Sequence, residues 1–149
     1  VEDSILNDEY FMRIALNEAK KAADLDEVPI GAVIVAGGVV IARAHNLVEK
    51  LNDVTAHAEM MAFTAASEYL GGKFLKDCTL YVTLEPCPMC AGAAYWTRVS
   101  RVVFGAYDAK RGYSTLSDGF MHPSTEVKAG VMQDECAGLM TEYFRKKRL

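Results

Sequence analysis

The chain has 149 residues, 51% of them hydrophobic and 24% charged, with a formal net charge of −4. This composition excludes a disordered or fibrous chain, and no apolar run approaches the ~20 residues of a membrane span. The length suits one domain with its own core, so residues 1–149 are expected to fold as a single unit.

In chain order, Asn7 or Asp8 is placed to cap a first helix running to about Ala23, with Met12, Ala15, Leu16 and Ala19 as its apolar stripe. Two apolar runs, Ile30 to Val35 and Val39 to Ala44, flank Gly37-Gly38 and read as a β-hairpin. A polar loop, Asn46 to Asp53, leads to a second helix expected from about Thr55, with Ala58, Met61, Ala62 and Ala65 inward, ended by Gly71-Gly72. Thr79 to Leu84 is a short strand, and the small residues Cys90 to Ala94 suit a closely packed helix. Arg101 to Ala106 and Glu126 to Val131 are further strands, separated by a loop around Gly112 to Gly119. Asp134 is placed to cap a last helix with Cys136, Leu139, Met140 and Tyr143 inward. This order predicts an α/β fold: a mixed five-stranded sheet covered by helices, its strand order undetermined.

The four cysteines are Cys78, Cys87, Cys90 and Cys136. The acidic N-terminus, Val1 to Asp8, does not resemble a secretory signal. A tight Cys-x-x-Cys pair without such a signal points to metal or redox chemistry in a reducing compartment, the cytoplasm.

Two segments carry the chemistry: Thr55-Ala56-His57-Ala58-Glu59 and Glu85-Pro86-Cys87-Pro88-Met89-Cys90. Cys87 and Cys90, three apart, share one face of a helical turn. With His57 they supply three zinc ligands and leave the fourth tetrahedral position for water, the arrangement of a catalytic site. His45, His122, Cys78 and Cys136 lack the paired spacing of a fourth ligand, although folding can still bring one in, which leaves a structural zinc site as an alternative. A redox dithiol leaves the His-x-Glu half unexplained. Glu59 lies about 200° around a helix from His57. That is awkward for a second ligand but suitable for a proton shuttle beside the metal, as hydrolytic deamination requires. His-x-Glu followed by Pro-Cys-x-x-Cys is the signature of zinc nucleobase deaminases.

From about Tyr10 to Arg148 the chain resembles the bacterial tRNA-specific adenosine deaminases of the cytidine-deaminase-like superfamily. The likeness is carried by Val28 to Val33, Thr55 to Met60, Thr79 to Cys87, Arg101 to Ala106, Asp108-Ala109-Lys110 and Asp134 to Ala137. It implies a three-layer α/β/α cytidine-deaminase-like fold, a homodimer with one zinc ion per subunit, and conversion of adenosine to inosine at the wobble position of a tRNA anticodon arm. It further implies that His57, Cys87 and Cys90 bind zinc and Glu59 is the catalytic proton shuttle. Asn46 would contact the flipped base, Ile30, Ala58 and Leu84 would line its pocket, and Asp108, Lys110 and the C-terminal helix would contact flanking nucleotides. Residues 101–149 hold 8 basic against 6 acidic side chains, four of the basic ones consecutive from Arg145 to Arg148. Such a run is a phosphate contact or a solvated helix end. Tyr107 replaces an Arg common in that family, while Tyr95-Trp96 and Pro88 resemble deaminases of free bases such as guanine or cytosine, which is the alternative function. Tyr95 and Trp96 otherwise serve core or dimer packing; Tyr107 and Tyr113 are candidates to stack on splayed bases. A catalytically idle zinc module is a third reading, against which Glu59 speaks.

Overall fold

A computed structural model describes residues 2–148, with backbone alone for residues 2–7 and 118. The elements are α1 (Glu2–Asp24), β1 (Gly31–Ala36), β2 (Val39–His45), α2 (Val48–Leu51), α3 (Ala58–Leu70), β3 (Cys78–Leu84), α4 (Pro88–Thr97), β4 (Arg101–Ala106), β5 (Glu126–Ala129) and α5 (Gln133–Lys147). Two short 3₁₀ turns, Tyr113–Thr115 and Asp118–Phe120, lie between β4 and β5. No helix among the described residues is long and apolar enough to cross a membrane.

The five strands form one mixed sheet in the order β2-β1-β3-β4-β5. β1 runs antiparallel to both β2 and β3, whereas β4 and β5 follow β3 in parallel. Gly37 and Gly38 make the two-residue hairpin turn, both with positive φ (57° and 78°), as its twist requires. One apolar cluster packs α3 and α4 on one face of the sheet through Ala62, Phe63, Ala66, Ala91 and Ala94. A second packs α1 and α5 on the other through Met12, Ala15, Leu16 and Cys136. The molecule thus has the three expected α/β/α layers.

Several local expectations are corrected. α1 begins at Glu2, so Asp8 lies inside it; its carboxylate is buried and accepts from Tyr81, Arg101 and Lys128 instead of capping a helix. The side chain of Asn7 lies outside the described residues. α3 begins at Ala58, three residues late, and turns Ala58, Glu59, Ala62, Phe63 and Ala66 inward, leaving Met61 half-buried and Ala65 exposed. The loop after Asn46 holds the one-turn helix α2. The N-cap position of α5 is Met132, in left-handed conformation, and Asp134 sits in the first turn, where its charge suits the helix N-terminus.

Candidate active site

The strand directions bring four chain segments to one end of the sheet. The parallel strands β3 and β4 end there, at Leu84 and Ala106, while antiparallel β1 begins there and β2 ends there. Ile30, Asn46, Leu84 and Asp108 therefore gather near the first turns of α3 and α4. The carboxyl ends of parallel strands are where open α/β sheets place their ligands.

His57 and Cys87 occupy the N-cap positions of α3 and α4, both with extended backbone, and Pro88 at the start of α4 suits a first helical turn. Cys90 follows in that turn and is buried. His57 Nδ1 lies 3.6 Å from Cys87 Sγ and 3.6 Å from Cys90 Sγ. The three donor atoms fall within 4.8 Å of one another. A tetrahedral zinc ion, with bonds of about 2.3 Å to sulfur and about 2.0–2.1 Å to nitrogen, spaces its N···S edges at about 3.6 Å. The donor set and its spacing fit zinc. The hydrogen bond with Cys90, followed by the effect of His57, outweighs burial and draws the Cys87 thiol down to about 4. Cys90, sharing that bond and buried, is pushed up, and His57 is raised chiefly by its bond to Cys87.

Glu59 is 3% exposed, and among the described residues its Oε1 is the one buried side-chain oxygen or nitrogen without a hydrogen-bond partner. Burial raises its carboxyl to about 7, in an environment it shares with Cys87, His57 and Cys90. A carboxyl group titrating near neutrality beside a metal site is equipped to take and return a proton.

Asn46 is buried, and its Oδ1 accepts the Ala58 N–H at 2.8 Å, fixing the first residue of α3. Ala58 is fully buried, Leu84 is 8% exposed and Ile30 is half-buried. Asp108 and Lys110 lie on the loop after β4, Lys110 exposed, and Asp108 Oδ1 accepts the N–H groups of Lys110 and Arg111. Tyr107 is 60% exposed and meets Phe104 edge-on, whereas Tyr113 is buried in the core and offers no open ring for stacking. In the basic run, Arg145 and Lys146 pair with Glu142 and Lys147 pairs with Asp26. Trp96 is 72% exposed on α4, and Tyr95 packs against it and His122.

Three buried acids lie outside the sequence motifs' assigned roles: Glu18, whose carboxylate meets Lys21 Nζ at 2.7 Å and His45 Nδ1 at 2.9 Å, Glu27 and Glu85. Glu27, 1% exposed, accepts the N–H groups of Glu49 (3.0 Å) and Lys50 (2.7 Å), capping α2 from a distance in sequence. Glu85 holds the loop after β4 in the same manner. Glu27 stands before the apolar Val28-Pro29-Ile30 and Glu85 after Leu84, a context that hints at burial without naming a partner.

An α/β/α sandwich with a His-Cys-Cys site and a buried glutamate at two helix N-termini defines the class of zinc-dependent deaminases. Residues 6–106 match the cytidine and deoxycytidylate deaminase zinc-binding region. The chain is 49% identical to the tRNA-specific adenosine deaminase of Bacillus subtilis (strain 168), over 95% of this chain and 91% of that protein. It superposes with a TM-score of 0.81 and 44% identity on a structure from work on A-to-I editing by tRNA:A34 deaminases at the wobble position of transfer RNA, covering 87% of this chain and 98% of that one. Guanine deaminase from Nitrosomonas europaea is also similar, with a TM-score of 0.82 at 26% identity over 91% of this chain and 83% of that one. The chain belongs to the family of tRNA-specific adenosine deaminases.

Proposed function

We propose that this protein, one deaminase domain over residues 1–149, hydrolyses adenosine to inosine at the wobble position of a tRNA anticodon arm in the cytoplasm. The observation that carries the reading is the pairing of a zinc-spaced His57-Cys87-Cys90 triad with the unpartnered Oε1 of Glu59. The 49% identity to a tRNA-specific relative supports the choice of substrate.

His57 Nδ1, Cys87 Sγ and Cys90 Sγ hold one zinc ion. Zinc bound there supplies Lewis-acid activation of water. Glu59 takes a proton from the attacking water and delivers it to N1 of the purine, then carries the second proton of that water to the amino group at C6. The C6–N bond breaks, ammonia leaves, and oxygen from water becomes the C6 carbonyl of inosine. Asn46 orients the base from the side of the Ala58 amide, and Ile30 and Leu84 give the ring apolar walls that limit access of bulk water, with the fully buried Ala58 packed behind them. Asp108, Lys110 and the C-terminal helix face the flanking nucleotides, with Tyr107 as an exposed ring on which a splayed base stacks.

The protein works as a homodimer. The outer side of α4 carries the exposed Trp96 and Gly92, around which a Cβ would meet nothing within 4 Å. A mid-helix glycine costs roughly 1 kcal/mol against alanine, and close approach of a second copy gives it a use.

The test is inosine and ammonia formation by zinc-loaded protein on an adenosine-containing anticodon stem-loop, beside free guanine, cytosine, adenine and adenosine. Inosine in the stem-loop alone is expected. Turnover of a free base with an inert stem-loop would move the protein to base salvage while keeping its zinc chemistry.

A further inference from the structure

Glu85 is a buried carboxylate for which the chemistry above has no use. It stands two residues before the metal-site Cys87 and is 3% exposed. Its N–H donates to the Ala106 carbonyl at 2.8 Å, fixing it beside the end of β4. The hydrogen bonds its side chain accepts come from one segment, the loop that follows β4. Asp108 N–H donates to Oε1 at 3.1 Å, while the Ser114 N–H (3.1 Å) and hydroxyl (2.6 Å) donate to Oε2. The Tyr113 N–H reaches the Pro86 carbonyl at 2.9 Å. The loop wraps the carboxylate so closely that a Cβ at Gly112 would overlap Oε1. Loops of this length at a sheet edge are ordinarily mobile. Charge-assisted bonds to a buried acceptor hold this one in a single register with the segment that carries Cys87.

We propose that Glu85 is a positioning residue for substrate recognition: it sets the 107–115 loop relative to the metal site, so that the loop's side chains read the nucleotides beside the reacting adenosine. The inference rests on the tRNA reading above. Glu85 takes no part in proton transfer and acts only through the loop. Its loss therefore weakens recognition of the flanking RNA and leaves the metal site and the chemical step in place.

Three variants of the 149-residue chain test this: Glu85→Gln, Ser114→Ala, which removes one hydroxyl donor at the surface, and Gly112→Ala, which forces a methyl group against the carboxylate. For each, zinc content is measured together with kcat and KM on the stem-loop and on stem-loops altered at the nucleotides flanking the adenosine. Amide exchange is followed at Asp108 and Ser114. The expected result for Glu85→Gln and Gly112→Ala is unchanged zinc, kcat within about twofold, KM raised on the order of tenfold, collapsed discrimination between flanking sequences, and faster exchange at both amides. Ser114→Ala shifts the same quantities less. KM and discrimination unchanged in all three variants, with an active wild type, would overturn the inference and leave the substrate reading intact. Loss of zinc in Glu85→Gln, with normal KM in the other two, would also overturn it by making Glu85 a support of Cys87 alone. A wild type inert on every stem-loop would overturn the substrate reading, and this inference with it.

Discussion

Glu59 illustrates how much one side chain decides. Its carboxyl is raised to about 7 by burial, so both protonation states are accessible near neutrality, as a group that first accepts and then donates a proton requires. Glu59→Gln keeps the shape and removes the proposed proton exchange. The expected outcome is full zinc content by metal analysis and a kcat lowered by roughly 10²–10⁴ on the stem-loop. Retained turnover would remove Glu59 from proton transfer. The residues of this site were legible in the sequence because metal ligation needs particular side chains at particular spacings, and His57, Glu59, Cys87 and Cys90 satisfied that need in two short segments. Glu27 and Glu85 were not legible as clamps. A buried acid is spelled like an exposed one, and only the fold shows which backbone N–H groups it meets.

At the level of elements, α2 is the least self-sufficient piece. It has a single turn, its N-cap residue Leu47 offers no side-chain hydrogen bond, and none of its residues is buried. Isolated turns of this length do not persist in water. Both oxygens of Glu27 hold its first amides, and the segment it anchors runs between Asn46 and His57. Glu27→Gln retains one acceptor and loses the other, together with the charge. The expected cost is about 1–3 kcal/mol, or a fall in Tm of roughly 3–10 °C, with faster exchange at the Glu49 and Lys50 amides. An unchanged melting curve would make the clamp incidental. Strands were easier to place than helix starts, because apolar runs bounded by Gly, Pro and charge leave little choice: β4 spans Arg101–Ala106 as expected. Helix faces were harder. Alanines at positions 58, 62, 65 and 66 of α3 allow two neighbouring stripes, and the large ring of Phe63 decided between them by filling the core.

Over the whole molecule, Asp8 joins α1 to β3, β4 and β5 through Tyr81, Arg101 and Lys128. Burial alone would raise its carboxyl, but hydrogen bonds from Arg101, Tyr81 and Lys128 outweigh that effect and pull it down to about 2. A carboxyl depressed in the folded state stabilises the fold above its unfolded value, near 4, and loses that contribution as pH falls through about 2. Urea titrations should show wild type ahead of Asp8→Asn by of order 2 kcal/mol at pH 5, the gap closing towards pH 2. A gap that persists at pH 2 would show that the charge is not its source. The proposed dimer belongs to the same scale: Trp96→Glu should turn a two-chain mass in light scattering into a one-chain mass without loss of zinc. An unchanged two-chain mass would place the interface elsewhere.

The strand order β2-β1-β3-β4-β5 has a consequence for how the chain is made. After the first hairpin, every later strand joins an edge that is still open: β3 on β1, β4 on β3, β5 on β4. No strand must be threaded between two that are already paired, so a chain leaving the ribosome from its N-terminus extends the sheet in the order in which it is synthesised. The open edge of β1 waits through α2 and α3 before β3 arrives. A translational pause in that interval leaves Ala32 to Val35 paired with β2 alone, their second edge open, and that is the stage at which a nascent copy is most exposed to pairing with its neighbour.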